Sequence, residues 1–296
     1  MQTWKDVTRS TIDVRNGKLA YYRVGRGPDL VCVHGWPLHA ATFRHLVPRL
    51  ASVCTLHMVD LPGTGSSPWN GPVSLRASAA TLAEALRTLD LPSYTLFGHD
   101  SGGAMARRVA ADDPRVRGLI LEDTEIPFAK TALLVALITA CRMPLIERLF
   151  PWALQQRSFR RSVFGFGSCF TDPAYVDTDF SDLFVTPLAR ASVARPQMEL
   201  GKSFDLAFVD ELAEVHKRLT MPTLCIWGER DPFFPVEAAR VMAKELPGPS
   251  TFVTIPGARL LPHEDHPDEV GQAIRAFMAC GSERHPATPR IAPSLV

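Results

Sequence analysis

Short apolar runs alternate with helical patterns along most of the chain. Thr11–Val14 and Lys18–Val24 read as two strands on either side of Asn16-Gly17, a dipeptide suited to a tight hairpin turn. Asp29–His34 (DLVCVH) is an almost unbroken apolar run, as expected of a buried strand, and a helical stretch follows it to Leu50. Cys54–Asp60 is the next strand and runs into the loop DLPGTGSS. Ser74–Leu89 carries apolar residues at helical spacing, Tyr94–Gly98 reads as a strand, Ser101–Ala111 as a helix and Leu119–Asp123 as a strand. This alternation predicts βαβ units and a mostly parallel sheet.

The rhythm breaks from about Ile126 to Leu219, where the pattern is aromatic-rich, with helical pieces and no clear strand. It then resumes with Thr223–Gly228, Val236–Leu246, Thr251–Ile255 and Pro267–Cys280. An insertion between two strands of one sheet is expected to cap the strands' C-terminal ends, the edge where open α/β sheets bind ligands. The predicted organisation is a core of residues 1–125 and 220–280, a helical cap of residues 126–219, and a disordered tail, Gly281–Val296, with prolines at 286, 289 and 293.

Composition narrows the classes. The 296 residues are 46% hydrophobic and 21% charged, the profile of a globular α/β domain. A net charge of +1 with no basic block gives no basis for nucleic acid or membrane as a partner. The N-terminus lacks a signal-peptide pattern, and the longest apolar run, Thr131–Cys141, is too short to span a bilayer. Six scattered cysteines without C-x-x-C spacing read as thiols of a reducing, cytoplasmic compartment. No His/Cys/Asp cluster has metal-ligand spacing, and PGTGSS lacks the third glycine and lysine of a phosphate loop, so no metal or other cofactor is expected.

The chemistry concentrates in Gly98-His99-Asp100-Ser101-Gly102-Gly103, between a strand and a helix. A sharp strand-to-helix turn needs small residues around its tip and thrusts the tip residue up at the helix N-terminus, where negative charge is favoured. Asp100 is that residue and is expected to be ionised. Backbone N–H groups of Trp36, in HGWP after a buried strand, and of Ser101 are the expected oxyanion donors. Asp231, in GERDPFFP after the strand Thr223–Gly228, is the candidate acid; Asp123 is a second one, and Glu125 a weaker third. Carboxylates this close could push each other's pKa apart. His34 and His99 read as structural.

HGWP, DLPGTGSS, GHDSGG, WGERDPFFP and PGA…PHEDHPDEV, in that order, resemble the α/β-hydrolase superfamily over residues 18 to 280. The GHD turn resembles its aspartate-nucleophile branch, the epoxide hydrolases and haloalkane dehalogenases. The resemblance implies an α/β-hydrolase fold: a mostly parallel central sheet flanked by helices, with an inserted helical cap. It also implies a small apolar organic substrate, with a homodimer as an assembly to be considered. A carboxylate attacking an sp³ carbon yields an alkyl ester, which histidine-activated water then cleaves. Each subclass has a device for its leaving group, and this chain departs from all of them. Ser101 stands where dehalogenases carry Trp, leaving the Trp36 indole as a lone halide donor. Tyr175 is the one cap tyrosine that could protonate an opening epoxide, and Asp123 is a further candidate substrate contact.

The last loop departs most. Relatives carry a catalytic His soon after P-G; here Pro256-Gly257-Ala258-Arg259 is followed by Leu260. Three readings stand open: His263 substitutes as the base, the protein binds or traps ligands without turnover, or Asp100 serves as a general base. Against the first, His263 and His266 in HEDHPDEV could simply belong to the start of the final helix.

Overall fold

The polar, exposed N-terminal strand and the apolar runs behind it build one sheet of eight strands in the order β1-β2-β4-β3-β5-β6-β7-β8. A computed structural model describes residues 2–284. The strands are β1 (Thr8–Val14), β2 (Gly17–Gly25), β3 (Asp29–Val33), β4 (Thr55–Val59), β5 (Tyr94–His99), β6 (Val116–Glu122), β7 (Thr223–Gly228) and β8 (Ser250–Ile255). β2 pairs antiparallel with β1 and β4, and every pairing from β4 to β8 is parallel. The main helices are α1 (Leu75–Thr88), α2 (Ser101–Asp112), α3 (Ala132–Cys141), α4 (Ile146–Leu154), α5 (Ala191–Lys202), α6 (Val236–Glu245) and α7 (Pro267–Arg284).

β1 begins three residues before its apolar pattern does: Thr8, Arg9 and Ser10 are exposed and pair with Arg23, Tyr22 and Tyr21. An edge strand that buries only Ile12 carries little hydrophobic signal. The helical stretch before Leu50 is a 3₁₀ turn, Ala40–His45, followed by a single α-turn, Val47–Leu50.

Strand alternation divides the core. Val31, Val33, Leu96, Leu119, Leu121 and Trp227 face α1, α2 and α6, whereas Leu30, Cys32, Phe97, Ile120 and Ile226 face Phe43, Val47 and α7. Because the parallel strands are covered on both faces, they read as continuous apolar runs rather than as alternation.

Chain order reverses at β3: the chain steps outward to β4, then crosses back to β5 on the other side. Such a switch point opens a crevice between the C-terminal ends of β3 and β5. Between β6 and β7 the described chain holds helices α3 to α5 and short 3₁₀ and π turns, with no strand of the sheet. Residues 281–284, assigned above to a disordered tail, continue α7; the rest of that tail lies outside the described residues. No helix among the described residues is long and apolar enough to cross a membrane.

Candidate active site

The elbow follows from its glycines. A Cβ on Gly102 would lie 2.4 Å from the Val33 carbonyl oxygen, so only glycine lets α2 start against β3. Asp100, between β5 and α2, is held at φ 49 and ψ −135, a strained conformation for any residue but glycine. Its N–H donates to the carbonyls of Glu122 and Asp123 at 3.2 and 3.1 Å, and its carbonyl accepts the Gly103 N–H at 2.7 Å and the Thr124 hydroxyl at 2.8 Å. The strain is thus spread over backbone bonds from β6 and α2.

Across the crevice, the Trp36 N–H donates to Asp100 Oδ2 at 2.9 Å. Ser101 adds its own backbone N–H, and its hydroxyl lies 3.4 Å from the same oxygen. Gly35 permits this approach, because a Cβ there would fall 2.3 Å from Oδ2. The structure therefore brings Asp100, Trp36 and Ser101 together, with Oδ2 held by the Trp36 N–H. Burial raises the Asp100 pKa well above the ordinary carboxylate range, with Glu125 and Asp231 repulsion adding to it and the two N–H donors opposing it. Against the expectation of a readily ionised aspartate, desolvation outweighs the helix-terminus donors.

Asp100 is the one charged side chain lining a cavity of about 260 Å³, otherwise walled by apolar residues such as Leu137, Phe150, Phe166, Phe233 and Leu260. Cap aromatics divide between uses. Phe164 and Phe166 line this cavity, whereas Phe170, Phe180 and Phe184 pack on one another as cap core.

Leu260, the position counted as histidine in relatives, stands in the cavity with Asp100. His263 does not. Pro262 opens a helical turn, Pro262–Asp265, which carries His263 beneath the site, fully buried. Its Nδ1 is 2.7 Å from Glu122 Oε2 and its Nε2 2.7 Å from the Thr42 hydroxyl. Burial, with Arg44 nearby, lowers its pKa to about 3, while burial lifts Glu122 to about 8. With both nitrogens committed to structural partners, His263 is not the water-activating base proposed from sequence.

The remaining predicted residues are also placed. Asp231 Oδ1 accepts the Phe233 N–H at 2.8 Å, and its carboxyl lies beside that of Asp123. Burial raises Asp231 to about 7 and Asp123 further still, the latter also through repulsion from Asp231 and Glu122. Asp123 is fully buried, accepts the Gly228 N–H at 2.9 Å and does not line the cavity, so it supports Asp231 rather than touching a substrate. Tyr175 is likewise not a substrate contact, since its hydroxyl donates to the Glu264 carbonyl at 2.8 Å. The Trp36 indole N–H, considered above as a halide donor, is spent on the Gln197 carbonyl at 2.7 Å. His34 Nε2 accepts the Leu61 N–H at 3.0 Å, and His99 Nε2 lies 2.8 Å from the Leu260 carbonyl, so both act on backbone.

Two buried groups went unread in the sequence. Arg107 on α2 reaches the Thr124 hydroxyl at 2.9 Å and the Glu125 carbonyl at 2.8 Å, placing a cation behind the elbow. Arg44 grips Glu264 with both oxygens at 2.8 Å. An arginine in the small-residue helix SGGAMARRVAA was the visible signal for the first; nothing local marks the second.

A strand-turn-helix elbow with a nucleophile-type residue at its tip, at the switch point of a mostly parallel sheet and under a helical cap, defines the hydrolase class of α/β proteins. The chain belongs to the alpha/beta hydrolase family, whose pattern it matches over residues 30–273. It is 30% identical over 269 residues to a pimeloyl-[acyl-carrier protein] methyl ester esterase of Xanthomonas oryzae pv. oryzae, covering 86% of this chain and 97% of that one. It is 31% identical over 262 residues, with the same coverage, to the protein of that name in Xanthomonas campestris pv. campestris. Among solved structures it resembles the epoxide hydrolase CorEH, with a TM-score of 0.77 at 20% identity over 93% of this chain and 99% of that one. A thermophilic esterase from Thermogutta terrifontis superposes with a TM-score of 0.70 at 24% identity, over 93% and 99% of the two chains.

Proposed function

We propose that the protein is a hydrolase acting at an electrophilic sp³ carbon of a small apolar substrate through a covalent ester on Asp100. The observation that carries this reading is the Asp100 carboxyl, held through Oδ2 by the Trp36 N–H at 2.9 Å, as the one charged side chain of an apolar cavity. In the first step Oδ1 forms a C–O bond while the carbon–leaving-group bond breaks and the leaving group departs with the electron pair. In the second, water attacks the ester carbonyl, the N–H donors of Trp36 and Ser101 stabilise the oxyanion on Oδ2, and the alcohol leaves with a proton from the water. With Tyr175 committed to Glu264, an alkyl halide fits better than an epoxide, because a halide departs without a proton.

The family's curated relatives are named as esterases, but carboxylate attack on an acyl carbon yields an anhydride and little advantage. Leu260 favours a second reading, in which the ester forms and is not released. Leucine cannot accept the water's proton, and Asp231, the acid expected to orient a histidine, does not line the cavity. Slow release is therefore expected. Intact-protein mass spectrometry after incubation with alkyl halides and epoxides tests both readings. The expected result is an adduct that accumulates on wild type, is absent from Asp100→Asn, and decays slowly to product. A persistent adduct without product establishes capture rather than turnover; neither adduct nor product on wild type overturns the nucleophile assignment.

A further inference from the structure

Among the described residues, the large exposed apolar side chains concentrate in one stretch of the chain. Apart from Val241, all of them lie between Phe128 and Phe164 on the cap, among them Leu145 at 59%, Trp152 at 65% and Phe164 at 66% relative exposure. They cover α3, the Met143–Leu145 turn, α4 and the loop to Phe164. Patches of this kind on a soluble domain mark an interaction site.

The charge around the patch is one-sided. Residues 131–165 hold five arginines (Arg142, Arg148, Arg157, Arg160 and Arg161) and one acid, Glu147, which is itself paired with Lys202. Arg157, Arg160 and Arg161 all converge on Asp177, leaving surplus positive charge there. A second copy brought face to face would set arginine against arginine. An anionic, apolar partner satisfies both features. The inner sides of the same elements, at Leu137, Ile146 and Phe150, line the cavity over Asp100.

We propose that this face of the cap seats the protein on an anionic lipid surface, with Leu145, Leu149 and Trp152 entering the acyl boundary and Arg148 meeting the headgroups. Exposed Trp and Leu flanked by arginine is the composition of an interfacial element, and the low net charge of the whole chain conceals it. An apolar substrate dissolved in the lipid then lies at the cavity's outer wall. The docking rests on the cap surface and not on the reaction assigned to Asp100.

Co-sedimentation with phosphatidylcholine vesicles, with and without phosphatidylglycerol, tests it. Wild type is expected to pellet with the phosphatidylglycerol vesicles and to bind phosphatidylcholine alone more weakly. Leu149→Ser with Trp152→Ser, both exposed and outside the cavity wall, is expected to cut partitioning at least roughly tenfold with an unchanged melting temperature. Arg148→Ala is expected to cut it about fivefold on phosphatidylglycerol vesicles only. Asp100→Asn keeps wild-type partitioning, so failed docking and failed chemistry remain distinguishable. Wild type left in the supernatant with both vesicles overturns the proposal, as does a double variant that binds like wild type. So does a wild-type dimer in sedimentation velocity that the double variant dissociates without any vesicle binding.

Discussion

The elbow loop around Asp100 and the loop from Pro256 to Pro267 stand at the same edge of one sheet and have diverged in opposite ways. The elbow keeps each part its geometry requires: a strained tip, glycines where a Cβ would clash, and the Trp36 and Ser101 N–H groups at its carboxyl. The last loop keeps its backbone course, with the Arg230 N–H on the Ala258 carbonyl at 2.9 Å and His99 on the Leu260 carbonyl, yet places leucine at the working position. The backbone of this loop is thus firmly held while the side chain it presents is apolar. On the reaction proposed above, forming a bond to Asp100 and releasing it would depend on separate loops, and only one of those loops carries its chemistry.

The sharpest way to break this contrast is Asp100→Asn, which is expected to reduce alkyl-adduct formation by about 10³-fold or more, read by intact mass. Next is Leu260→His. An imaginary imidazole there would share the cavity with Asp100 and approach the loop of Asp231, so ester release is expected to rise about 10²-fold in single-turnover assays. An unchanged release rate would mean that the last loop no longer aims its side chain. The pH dependence follows from burial of Asp100. Attack needs the carboxylate, and its raised pKa shifts ionisation upward, so the labelling rate should climb about tenfold per pH unit above the ordinary carboxylate range before levelling. A rate already flat from mildly acidic pH would show that Trp36 and Ser101 outweigh desolvation after all.

The two smallest effects concern stability. His263→Ala leaves Glu122 and Thr42 without their partner in a dry interior and is expected to cost about 3 kcal/mol in urea unfolding, with adduct formation by the folded protein unchanged. Loss of ester release in that variant would restore His263 as a base. Tyr175→Phe removes the bond to the Glu264 carbonyl and is expected to cost about 1 kcal/mol without altering the labelling rate.

The fold was legible because buried parallel strands announce themselves as apolar runs, and because GHDSGG and HGWP encode a local turn whose steric needs are strict. The Asp100–Trp36 contact could be anticipated for the same reason: each half is fixed by its own short segment. His263 could not be placed, since a single helical turn opened by Pro262 decides whether its ring faces the cavity or the core. Glu122 and Thr42, its partners, lie 141 and 221 residues away along the chain. Spacing within a loop carries no record of them. The Asp123–Asp231 pair was half legible: both carboxyls were visible, but their mutual burial is a tertiary fact.

Trp36 carries one consequence further. Its main-chain N–H holds the Asp100 carboxyl, and its indole holds the Gln197 carbonyl on α5 in the cap. One residue therefore spans roof and hearth, and works as an interlock. Cap and crevice thereby meet in one residue, so the placement of α5 and the placement of the Asp100 carboxyl are mechanically joined through the same peptide and ring.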